Sequence, residues 1–166
     1  MPSPRLLNFA GFAVCAALLG YALYAQFQLG LDPCPLCIFQ RIGVALVGLA
    51  FLLAALHNPR GRGRYAYAAL IGVCALATLA VAARHLYVQS LPPGALPSCG
   101  APLAMLMKFM PLWQVVRKVL SGSGECGLVN WRFLGWAMPA WVLLWALLLG
   151  AAGLIANLRA APAARR

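Results

Sequence analysis

Four apolar runs, near Leu6–Leu29, Ile38–Leu56, Tyr65–Leu86 and Phe133–Asn157, are each long enough to cross about 30 Å of hydrocarbon. No ionisable residue falls in the middle of any of them. A chain with four such runs has few choices. In lipid every backbone polar group must be satisfied internally, and helices do this within one segment. The expected fold is an all-α membrane protein: one four-transmembrane-helix bundle over residues 1–166. Its short loop is near 30–37. A long loop over 87–132 carries a short amphipathic interfacial helix. Charge density agrees, since only 9% of residues are charged against about 25% in an ordinary soluble domain. Gly11, Gly20, Gly43, Gly48 and Gly72 permit close helix packing in the first three runs.

The net charge of +11 is not a nucleic-acid footprint, because the basic residues lie mostly at the ends of the apolar runs. Their distribution sets an orientation. Arg5, Arg60, Arg62, Arg64, Arg159, Arg165 and Arg166 fall on one side with no acid among them. Arg41, Arg84, Lys108, Arg117, Lys118 and Arg132 fall on the other, with Asp32 and Glu125. Positive residues favour the inside, so both termini and the Arg60–Arg64 turn are expected in the cytoplasm. The first run is long for a cleaved leader and Leu23-Tyr24-Ala25 is a poor cleavage site, so it is read as a span.

This orientation places Cys34, Cys37, Cys99 and Cys126 outside the cytoplasmic membrane, where a bacterium is oxidising and disulfides form. Cys15 and Cys74 fall within spans and read as packing residues. The stretch Asp32-Pro33-Cys34-Pro35-Leu36-Cys37-Ile38-Phe39-Gln40-Arg41 is the centre of the chemistry. Pro35 suits the first position of a helix, where no N–H donor is needed. Cys34 then caps the helix and Cys37 sits near its third position. Free N–H groups and the positive dipole end there favour a thiolate over a thiol. Arg41, four residues after Cys37, shares its helix face and adds a fixed positive charge.

The long loop reads in three parts. Leu91–Gly100 is rich in proline and glycine, which sets Cys99 on a mobile arm. Leu106, Phe109, Trp113, Val116 and Leu120 repeat at helical spacing over Leu103–Leu120, with a break at Pro111. That helix lies either on the bilayer or against the bundle. Ser121–Gly127 is rich in glycine and serine and reads as a second flexible arm, carrying Cys126. Tyr21, Tyr24, Tyr65, Tyr67, Trp131 and Trp136 read as an interfacial belt, and Pro139 as a kink in the fourth span.

Four outer cysteines allow three pairings, and sequence proximity favours Cys34–Cys37 with Cys99–Cys126. One activated pair and one mobile pair suit a disulfide relay, in which a thiolate attacks a neighbouring disulfide. The same four cysteines could instead hold zinc in a binding or structural protein. Against that, the second and third are not a C-x-x-C pair, unlike common zinc ribbons.

The segments Pro33–Arg41, Leu96-Pro97-Ser98-Cys99 and Gly124-Glu125-Cys126, with Trp131, Phe133-Leu134-Gly135, Met138-Pro139 and Trp141, resemble the disulfide bond formation protein B (DsbB) family over nearly the whole chain. The resemblance implies a quinone-dependent thiol oxidase of the bacterial inner membrane. Its partner would be a DsbA-like periplasmic thioredoxin-fold protein, and its electron acceptor ubiquinone or menaquinone. It implies that the reduced partner attacks Cys99, and that the freed Cys126 exchanges with Cys34. Cys37 is then left as the thiolate facing the quinone, with Arg41 helping to hold it. His85 lies near the family's quinone-side histidine. No metal is implied. A membrane thiol–quinone enzyme similar to vitamin K epoxide reductase also uses two cysteine pairs, but the C-x-x-C at the start of the second span favours the first resemblance.

Overall fold

The computed structural model describes residues 3–59, 61–92, 95, 103–129 and 131–158. Four long helices are long and apolar enough to cross a membrane: α1 (Pro4–Gln28), α2 (Pro35–His57), α3 (Gly63–Gln89) and α7 (Met138–Leu158). The protein is an all-α multi-pass membrane protein. Between α3 and α7 lie α4 (Leu103–Phe109), α5 (Leu112–Ser121), α6 (Gly124–Gly127) and a hairpin of β1 (Arg132–Phe133) and β2 (Trp136–Ala137). Cys99, most of the proline-rich arm around it, Arg60 and the basic residues after Leu158 lie outside the described residues.

The helix ends follow from local chemistry. Ser3 Oγ accepts from the Leu6 N–H at 3.3 Å and caps α1, with Pro4 at its first position. At the other end Gly30 takes φ +65°, and the Leu31 N–H reaches back to the Ala25 carbonyl at 3.2 Å. Asn58, at φ 42°, ends α2 and donates to Ala54 O at 3.0 Å.

The bundle closes in the order α1–α2–α3–α7, with α3 packed most extensively on α7 and α1 on α2. Phe51 is wholly buried at its centre, among Cys15, Val47, Ile71 and Leu149. Gly11 admits its ring: a Cβ there would lie 2.7 Å from it. At the end remote from the long loop, Asn8 and Asn157 exchange two amide hydrogen bonds, at 3.2 and 3.0 Å, and so join α1 to α7. Both are buried. Neither was singled out by sequence, where each passes as one polar residue near a span end.

Expectations about the outer segments need correction. The fourth helix begins at Met138, not Phe133. Leu134 and Gly135 take φ 51° and 83°, the two left-handed positions of a two-residue hairpin turn, and pair Arg132 with Ala137. The apolar run therefore conceals a hairpin. Pro139 is the second residue of α7, where no N–H partner is required, so it starts the helix and does not kink it.

The loop helix does break at Pro111, but its buried face is Leu106, Val115 and Val119, packed on Leu36 and Val88. Phe109 and Trp113, expected on the apolar face, are exposed together with Met107 and Leu112. The element thus rests on the bundle by one face and presents apolar side chains on another.

Ser121–Gly127 also differs from its expectation. It is not a loose arm: α6 forms there and Cys126 is buried. Gly122, at φ 86°, makes the turn between α5 and α6. Arg84 donates to Leu120 O at 2.8 Å and Ser121 O at 3.1 Å. It thereby supplies donors to carbonyls at the end of α5.

Candidate functional site: a thiol cluster beside an apolar cavity

Helix α2 starts as its sequence predicts. Cys34 is the cap residue, Pro35 the first helical residue, and the Cys37 N–H points at Cys34 Sγ at 3.3 Å. A cysteine sulfur therefore fills the place usually taken by a serine or aspartate oxygen. The two sulfurs are 3.1 Å apart as free thiols.

Cys126 joins this pair. It is packed against Cys34 and Leu36, and its Sγ lies 3.5 Å from Ser123 Oγ. The Cys34 side chain beside it, followed by burial, pushes the Cys126 thiol well above the ordinary range, because both favour the protonated form. By the family resemblance Cys126 pairs with Cys99 and, once freed, exchanges with Cys34. The fold brings Cys126 to the C-x-x-C pair, while Cys99 lies outside the described residues.

His85 is also in this cluster. It lies on helix α3, which continues past it to Gln89, and it is buried. Its Nδ1 accepts from Gln40 Nε2 at 2.8 Å. Its Nε2 then carries the proton, 3.1 Å from the Cys126 carbonyl and 3.7 Å from Cys34 Sγ. The arrangement ties α2, α3 and α6 together around the sulfurs. Gln40 was missed from sequence. Its signal is a polar residue three positions after Cys37, on the same turn-to-turn face of an otherwise apolar helix.

Arg41 turns toward α1, where it donates to Gln26 Oε1 and to Ala22 O, the latter at 3.0 Å. These bonds fix the guanidinium on the wall of an apolar cavity of about 400 Å³. Cys37, Gln40 and Arg41 line one side; Trp131, Trp141 and Trp145 line others. Tyr21 and Trp131 stack edge to face, and Trp141 Nε1 holds Phe133 O at 3.2 Å. The aromatic residues read as a simple belt thus include cavity walls. His85 does not line this cavity. It lines a smaller, more polar cleft with Cys34, Cys37, Arg41, Asp32 and Glu125.

Thiols brought this close by separate elements, inside a multi-pass membrane protein, define a class: membrane proteins that work by disulfide exchange. Comparison with known proteins gives the family. The sequence model of "Disulfide bond formation protein DsbB" matches residues 4–156. Among curated proteins, disulfide bond formation protein B of Xanthomonas campestris pv. campestris (strain 8004) is 52% identical over 136 residues, 81% of this chain and 79% of its own length. That of Chromobacterium violaceum is 51% identical over 142 residues, 83% of this chain and 86% of its own. That of Methylococcus capsulatus is 48% identical over 155 residues, covering 93% and 94%. The chain belongs to the DsbB family, and its role is disulfide bond formation.

Proposed function

We propose that this protein is a quinone-dependent thiol oxidase of the bacterial inner membrane, with both termini in the cytoplasm. It re-oxidises a DsbA-like periplasmic dithiol partner and passes the electrons to ubiquinone or menaquinone. The observation that carries this reading is the position of Cys37 and Arg41. Both sit on the wall of the apolar cavity, directly behind a Cys34 that is packed against Cys126. The donor set suits a flat apolar ring with carbonyl oxygens: aromatic walls, one fixed guanidinium and one sulfur. A bound quinone supplies a two-electron acceptor.

The chain's own residues perform the exchange. The partner's thiolate attacks Cys99 of a Cys99–Cys126 disulfide, forming a mixed disulfide and releasing Cys126. Cys126 attacks Cys34 of the Cys34–Cys37 disulfide, and Cys37 leaves as a thiolate. The helix start favours that leaving group, since unpaired N–H groups and the dipole surround it. The partner's second thiol then attacks its own sulfur in the mixed disulfide and departs oxidised, freeing Cys99. Cys99 attacks Cys126, restoring the outer disulfide and leaving Cys34 and Cys37 as the reduced pair. Two electrons have moved from the partner to the pair on the cavity wall.

The test follows quinone absorbance with purified protein, a reduced DsbA-like partner and ubiquinone, then menaquinone. Quinone loss should match partner oxidation and vanish in Cys37→Ser and in Cys99→Ser. Turnover retained in Cys37→Ser, or no quinone loss with either quinone, overturns the proposal.

A further inference from the structure

We propose that the dithiol form of Cys34 and Cys37, with His85, is a binding site for a soft divalent cation of the Zn²⁺ type, and that oxidation to the disulfide ejects it. Cys34 Sγ, Cys37 Sγ and a ring nitrogen of His85 all lie within 4.8 Å of one another. This is a different set from the four-cysteine arrangement weighed from sequence. It takes two ligands from the start of α2 and one from α3, and does not need Cys99.

The geometry is close to what the ion requires. Zn–S bonds near 2.3 Å and Zn–N bonds near 2.05 Å at tetrahedral angles put sulfur and nitrogen about 3.6 Å apart, and two sulfurs about 3.8 Å apart. Cys34 Sγ and His85 Nε2 are 3.7 Å apart. The two sulfurs, at 3.1 Å, must open by roughly 0.7 Å to reach that spacing. Cys126, packed in the same cluster as Cys34, is at hand for the fourth position.

Two further features favour a cation here. The chain carries only two acidic residues against thirteen lysines and arginines, and both acids line the cleft that holds these three ligands. Arg41 lines it too, but its guanidinium is committed to Gln26 and Ala22 on α1. Gln40 supplies the outer partner that a ligating histidine needs. At present its amide nitrogen donates to His85 Nδ1 at 2.8 Å. Rotating the amide presents Oε1 instead, the ring proton moves to Nδ1, and the Nε2 lone pair is free to bind. His85 gives up its contact with the Cys126 carbonyl in the exchange.

The step balances without electron transfer. Two S–H bonds are replaced by two S–Zn bonds, two protons leave, and the cation's charge is met by two thiolates. Because the same two sulfurs carry either the cation or the disulfide, each excludes the other. The cation is thus a redox-gated inhibitor that arrests the pair in its reduced state.

The experiment titrates Zn²⁺ into detergent-solubilised full-length protein against a chromophoric chelator. The protein is first reduced, then freed of reductant without oxygen. One equivalent should bind, and none to this site once Cys34 and Cys37 are disulfide-bonded. His85→Ala should weaken binding at least tenfold, Cys34→Ala should abolish it, and His57→Ala should leave it unchanged. X-ray absorption on the zinc-loaded wild type guards against a misfolded variant: an imidazole should stand in the first shell with at least two sulfurs. No equivalent bound by the reduced protein, equal binding after oxidation, or a shell without imidazole would overturn the site. Neither quinone nor partner protein is present, so the result is independent of the proposed oxidase activity.

Discussion

At the scale of single residues, the protein differentiates its thiols by what surrounds them. Cys37 faces a helix start; Cys126 is buried beside Cys34, and that neighbour together with burial holds its proton on. The sign of the pH effect follows. A thiol raised in the folded state stabilises the fold fully below its ordinary value of about 8.5, and that contribution is lost as pH rises toward the folded value. In the reduced protein, alkylation of Cys126 should stay slow at about pH 8.5 to 9, where an ordinary thiol is half ionised. Mass-mapped iodoacetamide labelling across pH checks this; a Cys126 profile matching a free cysteine would contradict it. Arg41→Ala is expected to impair quinone turnover at least tenfold with little loss of thermal stability, since its partners Gln26 and Ala22 O are only part-buried. Equal loss in both would return Arg41 to an anchor between α1 and α2. The sequence pointed to Arg41 through its four-residue spacing from Cys37. It could not point to Gln40 in the same way, because the partner of Gln40 lies on another helix, 45 residues away.

At the scale of elements, the sequence was informative wherever one short stretch decides its own conformation. The Cys34-Pro35 start of α2 and the break at Pro111 are such cases, as backbone geometry and missing donors act locally. It failed where a distant residue decides. Ser121–Gly127 has the composition of a linker, yet Arg84 and His85 from α3 hold it by hydrogen bonds to its backbone at Ser121 and Cys126. The Leu134-Gly135 turn was hidden because apolarity continues through it. Arg84 is therefore the element-scale test. Arg84→Ala removes two donors from Leu120 and Ser121 and should cost about 1–3 kcal/mol in local stability. Hydrogen exchange over α5 and α6 should accelerate roughly tenfold or more, and Cys126 should become open to maleimide. Unchanged protection there would mean that Val115 and Val119 suffice to hold the segment.

For the whole molecule, four apolar runs were enough to give the bundle, since lipid leaves the backbone no other open-chain solution. How the four pack was not legible, because apolar helices carry little information about which face meets which neighbour. Packing here depends on small residues beneath large ones. Gly11→Val would drive a side chain into the wholly buried Phe51 ring and should destabilise the bundle by about 1–3 kcal/mol or more. A shift of the unfolding midpoint in an SDS titration reads this, and an unchanged midpoint would show that the ring can move aside. The buried Asn8–Asn157 pair fastens α1 to α7 at one end of the molecule.

At the other end residues of the same two helices line the cavity, and its lining residues Tyr21 and Phe133 are exposed. If a lipid-dissolved reactant is admitted there, the bilayer is its reservoir and water plays no part in its supply. Turnover would then scale with the number of molecules per unit area of membrane, not with any bulk concentration. Diluting the vesicles in buffer would leave that arrival rate untouched, while doubling the lipid at fixed load would halve it. One protein would thus obey two kinds of mass action, three-dimensional on its thiol side and two-dimensional on its cavity side.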